Sequence, residues 1–508
     1  MSNSFYITTP VFYVNDVPHI GHAYTIIACD VVSRFKRLQG IDVKLLTGSD
    51  EHGQKIENSA KKQGKHLEDF VTEHSLAFQN MMSKLNISDH DFIRTTETRH
   101  KKAVKHLWNK LQDNGYIYKG NYAGWYSTRD EAFYSEKDLT EEGLAPSGSK
   151  VEWIEEPSYF FSLSKFQDKL LNYYENNPDF IIPKSAKNEI INFLHSGLTD
   201  LSISRSSFKW GIEVPNDPEH IIYVWLDALT NYISALGYPE NTDNLKKYWP
   251  ATHVVGKDII KFHAIFWPAF LMAADLPLPE SIVVHGWWTN EGEKISKSLG
   301  NTIDPTGLVD KYGLDPVRYF LMREITFGKD GNFAHENLVA RVNSELSNKI
   351  GNLLQRVSSF VFKECQECIP QINQKTINDL YQSDLISFAQ EIANKNITLM
   401  DNYSINQVID NIISIAERAN LYIDQSAPWS LKKTDRDKMF QILYILLEVN
   451  RYIGIMLQPF IPNSATQMLE QLGVPDDQRM FKHLTRNYAL EPGRQLQKPV
   501  PIFPRIEK

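Results

Sequence analysis

The strongest constraint on the fold lies in the first fifty residues, where two short apolar runs flank one run of helical period. Phe5-Tyr-Ile reads as a buried strand that stops at Thr9-Pro10. From His19 to Leu38 the apolar residues Ile20, Ala23, Ile27, Val31 and Phe35 recur at helical spacing, and Gly40 ends the run. Val43-Lys-Leu-Leu-Thr47 is then expected to form a second strand, closing on the loop Gly48-Ser-Asp-Glu-His-Gly53. A strand, a helix and a strand at this spacing form a parallel βαβ unit, whose ligands bind at the carboxyl ends of the strands.

The rhythm breaks between about 121 and 160, where Tyr122 to Tyr134 is aromatic and Glu141 to Ser149 is rich in turn formers, which predicts an inserted domain. It resumes with His220-Ile-Ile-Tyr-Val-Trp225, His253-Val-Val-Gly256 and Ser281-Ile-Val-Val-His285, read as further strands of the same sheet. Beyond about residue 336 long amphipathic helices take over, among them Leu338 to Phe362 and Met439 to Met456. The expected class is α/β: a Rossmann-like parallel-sheet catalytic domain split by an insertion and followed by an α-helical bundle.

Composition narrows the function. The net charge of -8 leaves no bulk positive field, so any nucleic acid must be met by a local basic surface. Three cysteines, Cys29, Cys365 and Cys368, cannot build a disulfide framework or a four-thiolate zinc site, which suggests a reducing compartment. The N-terminal residues lack the basic start and apolar core of a signal peptide, and no apolar run approaches the roughly 18 residues of a membrane span. A cytoplasmic enzyme without membrane contact is expected.

Two segments carry chemistry. Pro18-His-Ile-Gly-His22 places two imidazoles one turn apart at a helix start, where backbone N–H groups favour phosphate. Gly21 between them lets a nucleoside lie against the backbone. Histidines at a helix start serve equally well as capping residues. The second segment, Glu293-Lys-Ile-Ser-Lys-Ser-Leu-Gly-Asn301, follows Gly286-Trp-Trp-Thr-Asn-Glu-Gly292. Its Lys294 and Lys297, with Ser296 and Ser298, could follow negative charge from a triphosphate onto pyrophosphate, or could simply form a solvated face.

Together, His-Ile-Gly-His and Lys-Ile-Ser-Lys-Ser resemble the paired signatures of class I aminoacyl-tRNA synthetases, with Ile295 where methionine is usual. Thr8-Thr-Pro-Val-Phe-Tyr-Val-Asn15, Gly48-Ser-Asp-Glu-His-Gly53, Tyr223-Val-Trp-Leu-Asp-Ala228, Gly256-Lys-Asp-Ile259, Phe262-His263 and Phe266-Trp-Pro268 resemble blocks of the methionyl-tRNA synthetase family, in the family's order over most of the chain. The resemblance implies five regions: catalytic 1–115, inserted 116–220, catalytic 221–300, a linker contacting the tRNA stem at 301–345, and an anticodon-binding bundle at 346–508.

It also implies a methionine pocket formed by Tyr13, Trp225, Ala228, Leu229, Tyr232, Ile259 and His263, with Asp50 and the backbone near Val11 holding the ammonium. An unbranched thioether suits an aromatic lining with few polar groups. His19, Gly21, His22, Lys257, Asp258, Lys294, Ser296, Lys297 and Ser298 would surround ATP, with His19, His22, Lys294 and Lys297 catalytic and Mg²⁺ bridging ATP oxygens. Asp258 reads as readily as a helix N-cap. The implied reaction forms methionyl-adenylate and pyrophosphate, then transfers the methionyl group to the terminal ribose of tRNA(Met), for initiation and elongation of translation.

Many family members carry zinc knuckles in the insertion. Trp125 to Tyr134 and Gly143 to Ser149 contain no cysteine, and Cys365-Gln-Glu-Cys368 has no second ligand pair and lies in another region. A zinc-free form with no metal site of its own is expected. In the bundle, Asn352 and Arg356 share one helix face and Trp429 follows Ala-Pro at a helix start; all three match the family's anticodon positions. With no oligonucleotide-binding barrel following the bundle, a monomer is expected. The related isoleucine, valine and leucine enzymes would carry a large editing insertion, and a cysteine enzyme would carry zinc thiolates in the sheet. A non-catalytic tRNA-binding paralogue is disfavoured by the retained histidines and lysines, and a nucleotidyltransferase leaves the Asn-Arg-Trp set unexplained.

Overall fold

The computed structural model describes residues 4–15, 17–130, 132–134, 136–295 and 301–507. Its centre is a seven-stranded sheet built from β1 (Ser4–Thr8), β2 (Phe12–Tyr13), β3 (Asp42–Asp50), β4 (Asp91–Arg94), β5 (Ile181–Ile182), β6 (Thr252–Gly256) and β7 (Ser281–His285). The main path runs β2-β3-β1-β6-β7-β5, with β4 also on β3, and all these pairings are parallel. Both faces are covered, so the strands read as near-continuous apolar runs, as in Ile282-Val-Val284. The order reverses between β1 and β6. Helix α1 (Ile20–Leu38) begins at that reversal, where an α/β sheet opens its ligand crevice.

Three expectations need correction. The second strand does not stop at Thr47: β3 continues through Gly48 and Ser49 to Asp50, because β4 pairs with Leu46 to Ser49 and β2 with Ser49 and Asp50. The segment His220 to Trp225 is not a strand of the parallel sheet. His220 to Ile222 end an antiparallel strand, Asp217–Ile222, in a separate three-stranded sheet, and Val224–Ser234 is a helix, α3. Its β-branched run resembles a core strand, and periodicity cannot separate a short buried strand from the start of a buried helix. The apolar-span expectation also meets an exception. Helix Arg436–Leu457 is long and apolar enough to cross a membrane, but lies buried in the bundle core.

The insertion forms a four-stranded antiparallel sheet led by the long pair Ile117–Ser127 and Glu152–Phe161. Further on, the short strand β5 returns to the central parallel sheet and pairs with Ile282 and Val283. Downstream, helix His335–Arg341 runs through a π-helical stretch, Val342–Gly351, into helix Asn352–Glu364. The C-terminal tail packs on this stretch through paired bonds between Asn343 and the Ile506 backbone.

Candidate active site

The pair of histidines is shaped by the start of α1. His19 is the N-cap: its Nδ1 accepts the Gly21 N–H at 3.1 Å, while His22 Nδ1 accepts the His19 N–H at 3.2 Å, a reciprocal capping box. The rings stack at 3.8 Å, and Phe12 and Phe78 meet His22 edge-on. Burial lowers the pKa of both imidazoles, with His19 adding to the effect on His22. Each ring is therefore neutral, accepts at Nδ1 and carries its proton on Nε2. Capping and phosphate recognition are not alternatives here, since the cap fixes the tautomer that leaves an Nε2–H donor. A side chain at Gly21 would place its Cβ 3.0 Å from the His19 ring, so the glycine keeps that ring in its cap position.

Four of the residues expected around methionine, Trp225, Ala228, Leu229 and Tyr232, lie on α3, and His263 packs against it. Trp225 stacks on Phe262 at 3.7 Å and lies 6.1 Å from His263, edge to face. The backbone carbonyl of Ile259 accepts His263 Nδ1–H at 3.0 Å, leaving Nε2 to accept the Tyr232 hydroxyl at 2.6 Å. Burial pushes the His263 pKa down to about 4 and that of Tyr232 far up, so both remain neutral at physiological pH. Ala228 and Leu229 are buried on the same helix. Val11, Tyr13, Trp225, Ile259 and Phe262 all pack against one apolar cluster. Tyr13 is in register with Asp50, whose side chain is buried at the end of β3. The structure thus brings together an aromatic set, Trp225, Phe262, His263 and Tyr232, containing a neutral hydrogen-bonded Tyr–His pair, and separately sets Asp50 beside Tyr13 at the end of β3.

Lys257 is already engaged. Its Nζ lies 2.6 and 2.7 Å from the two Asp330 oxygens and 4.1 Å from the Trp287 ring centroid. Asp258 is not an N-cap, a position occupied by Gly256; it accepts the Trp287 indole N–H at 3.2 Å. Its charge also offsets the lowering of the His19, His263 and His285 pKa values, which puts it within electrostatic reach of both halves of the crevice. Lys294 lies on a short strand, Glu293–Lys294, antiparallel to Thr289–Asn290. Ser296, Lys297 and Ser298 fall outside the described residues.

Sequence reasoning missed the residues that tie the pocket together. Asp227, between Trp225 and Ala228, is buried with His52 Nδ1 and His100 Nε2 each 2.7 Å from one of its oxygens. Burial alone would raise its pKa, but the two imidazoles hold it down at about 2. A lone carboxylate in the otherwise apolar Val224-Trp-Leu-Asp-Ala-Leu was a visible signal, since a buried charge requires a partner. The partners themselves lie 127 and 175 residues away. In the bundle, Asn352 is exposed, Arg356 pairs with Asp424 at 2.6 Å, and Trp429 is 49% exposed beside Ala427, which adopts a left-handed conformation.

A parallel sheet with two capped imidazoles at its switch point, an inserted antiparallel sheet and a helical bundle beyond is the architecture of a class I aminoacyl-tRNA synthetase. The family described as "tRNA synthetases class I (M)" matches residues 5–149 and 136–358, and the "Anticodon binding domain of methionyl tRNA ligase" matches 378–508. A methionine–tRNA ligase of Rickettsia conorii is 60% identical, the alignment covering all of both chains; one of Brucella suis is 50% identical over 99% of this chain and 98% of its own. The Mycobacterium tuberculosis methionyl-tRNA synthetase, solved in complex with methionyl-adenylate, superposes with a TM-score of 0.94 at 42% identity, covering 99% of this chain and 100% of that one. The chain belongs to the methionine–tRNA ligase family, and its reaction joins methionine to tRNA at the expense of ATP.

Proposed function

We propose that the crevice at the carboxyl ends of β1, β3 and β6 forms methionyl-adenylate, and that the bundle beyond it reads the anticodon of tRNA(Met). The observation that carries this reading is the locked tautomer of His19 and His22. Two neutral Nε2–H donors at a helix start meet phosphate oxygens without competing for the positive charge that Lys294 and Lys297 direct at the leaving pyrophosphate. Asp50 neutralises the methionine ammonium beside the backbone of Val11. Tyr13, Trp225, Ala228, Leu229, Tyr232, Ile259 and His263 enclose the thioether, where sulfur–aromatic contacts contribute roughly 0.3–1.5 kcal/mol each. Gly21, Lys257, Asp258, Ser296 and Ser298 complete the ATP site, and Lys257 exchanges Asp330 for phosphate when ATP arrives.

No side chain acts as a nucleophile in this scheme. The methionine carboxylate attacks the α-phosphorus, pyrophosphate leaves, and the ribose hydroxyl of tRNA then displaces AMP. Catalysis is positioning and charge stabilisation. Mg²⁺ enters with ATP as part of the substrate. In the bundle, Trp429 stacks an anticodon base while Asn352 and Arg356 offer donors to base edges, Arg356 releasing Asp424 to do so. The five regions are those bounded at 115, 220, 300 and 345, and the enzyme works as a cytoplasmic monomer without structural zinc. Amino-acid-dependent ATP–pyrophosphate exchange across the standard amino acids tests the assignment. Methionine alone should support full exchange, and equal rates with leucine or isoleucine would overturn the pocket.

A further inference from the structure

A carboxylate sealed away from water is costlier to bury than an apolar residue of its size unless both oxygens are satisfied. Asp227 is such a group: fully buried, with His52 on Oδ2 and His100 on Oδ1, both at 2.7 Å. His100 is held from behind by Ser234 Oγ, 2.9 Å from its Nδ1. His52 is fixed by its neighbours. The Trp210 indole donates to the Glu51 carbonyl at 2.5 Å, and the Gly53 N–H donates to the Trp210 carbonyl at 3.1 Å. The chain thus holds the turn after β3 from two sides and anchors its imidazole to α3.

The positions matter as much as the bonds. His52 stands two residues beyond Asp50, while Asp227 stands between Trp225 and Ala228. The hydrogen bond between them is therefore a direct strut from the strand end that grips the ammonium to the helix that lines the thioether pocket. His100, from α2 (Thr98–Asp113), braces the strut against the outer layer. A ligand held at both ends binds well only if its two grips keep a set separation and angle.

We propose that Asp227 is a positioning residue for methionine, acting through His52 to fix the Asp50 strand end relative to α3, with His100 as the brace. This inference rests on the methionine-pocket reading given above. ATP is assigned to the start of α1, whose His19 and His22 take no part in the His52–Asp227–His100 set, so the strut sets the methionine site without setting the nucleotide site. A purely structural role would stabilise the fold while leaving the two substrates' constants alone.

The test is pyrophosphate exchange with methionine and ATP varied separately, together with thermal unfolding, on His52→Ala, His52→Asn and Asp227→Asn. His52→Ala removes the strut, and the KM for methionine should rise tenfold or more while that for ATP stays within twofold. His52→Asn returns an N–H donor close to the position of Nδ1 and should recover most of the loss. Asp227→Asn opposes one imidazole N–H with an amide N–H and should behave like His52→Ala; if it does not fold, the His52 pair decides alone. A lower melting temperature with the methionine KM unmoved, or equal rises in both KM values, would overturn the proposal. Asp50→Asn is the control: should it leave the methionine KM unchanged, the pocket reading itself fails, whereas a rise there without one in His52→Ala removes only the strut.

Discussion

At the scale of single residues, His19 shows how one side chain can hold a structural and a chemical role at different atoms. Nδ1 caps α1, which leaves Nε2–H as the donor that the proposed phosphate contact uses. The two roles should separate by substitution. Asn at position 19 can still accept the Gly21 N–H, because Asn is among the favoured N-caps, but it has no donor where Nε2–H stood. His19→Asn should keep its melting temperature while the rate of adenylate formation falls by roughly 10²–10³, as for loss of one preorganised donor. His19→Ala should lose that rate and about 1 kcal/mol of stability besides. Unfolding curves alongside single-turnover adenylation would show whether the two effects separate. Equal melting temperatures for both variants would remove the capping role, and an intact rate in His19→Asn would remove the donor.

At the scale of elements, the bundle and the insertion each carry an expectation of their own. Trp429 is 49% exposed on the short helix Pro428–Leu431 and lies outside the buried core, so its removal takes away little core packing. Trp429→Ala should leave tRNA-independent exchange and the melting temperature unchanged. The kcat/KM for tRNA should fall about 5- to 150-fold, the equivalent of roughly 1–3 kcal/mol of base stacking. A minihelix without the anticodon should be charged equally by both proteins, and a joint loss of exchange and charging would withdraw the assignment. In the insertion, Asp130 accepts hydrogen bonds from Ser147, Ser149 and Tyr134, closing the turn with hydroxyls. Among the described residues, no group of three or more His, Cys, Asp or Glu is placed to hold a metal ion. Elemental analysis of purified protein should accordingly find no stoichiometric zinc, and one equivalent of bound zinc would refute the hydroxyl-closed reading.

For the whole molecule, two buried electrostatic features govern stability. Arg318 is fully buried, pairs with Asp30 on α1 at 2.6 Å and donates to the carbonyls of Leu85, Pro459 and Phe460, joining the catalytic layer to the bundle. Arg318→Met leaves those acceptors and Asp30 short of a partner and should cost roughly 3–5 kcal/mol. A thermal scan should show both layers destabilised together, and an unchanged scan would show that the pair is dispensable. The second feature is acid sensitivity. His19, His22, His253, His263 and His285 all have pKa values lowered by burial. Above about pH 6.5 these histidines are neutral both folded and unfolded. Below it the unfolded chain binds protons first, so stability falls as the pH drops. His263, at about 4 when folded, should alone contribute about 2 kcal/mol of loss by pH 5. Urea midpoints at pH 7.5 and 5 should differ accordingly, and equal midpoints would mean that these imidazoles are not desolvated.

The sequence alone determined what depends on neighbours along the chain. The period of His19 to Leu38, the glycine at its end and the apolar runs 253–256 and 281–285 pointed to the parallel sheet, and the long helices beyond about 336 to the bundle. Pro18-His-Ile-Gly-His22 was legible as a helix start capped by paired imidazoles, whereas its phosphate-binding role rests on the resemblance and belongs to the proposal. Tertiary structure alone decided whatever depends on partners distant in sequence. A run of β-branched and aromatic residues at 220–225 fits a strand or a buried helix start, and only packing made Trp225 helical and turned it onto Phe262. The acceptor for Lys257 lies 73 residues away at Asp330, and the imidazoles that keep Asp227 ionised come from β3's turn and from α2. Charges and tautomers follow from desolvation and hydrogen-bond partners. Both are properties of three-dimensional neighbourhoods, which local pattern in a single sequence does not encode.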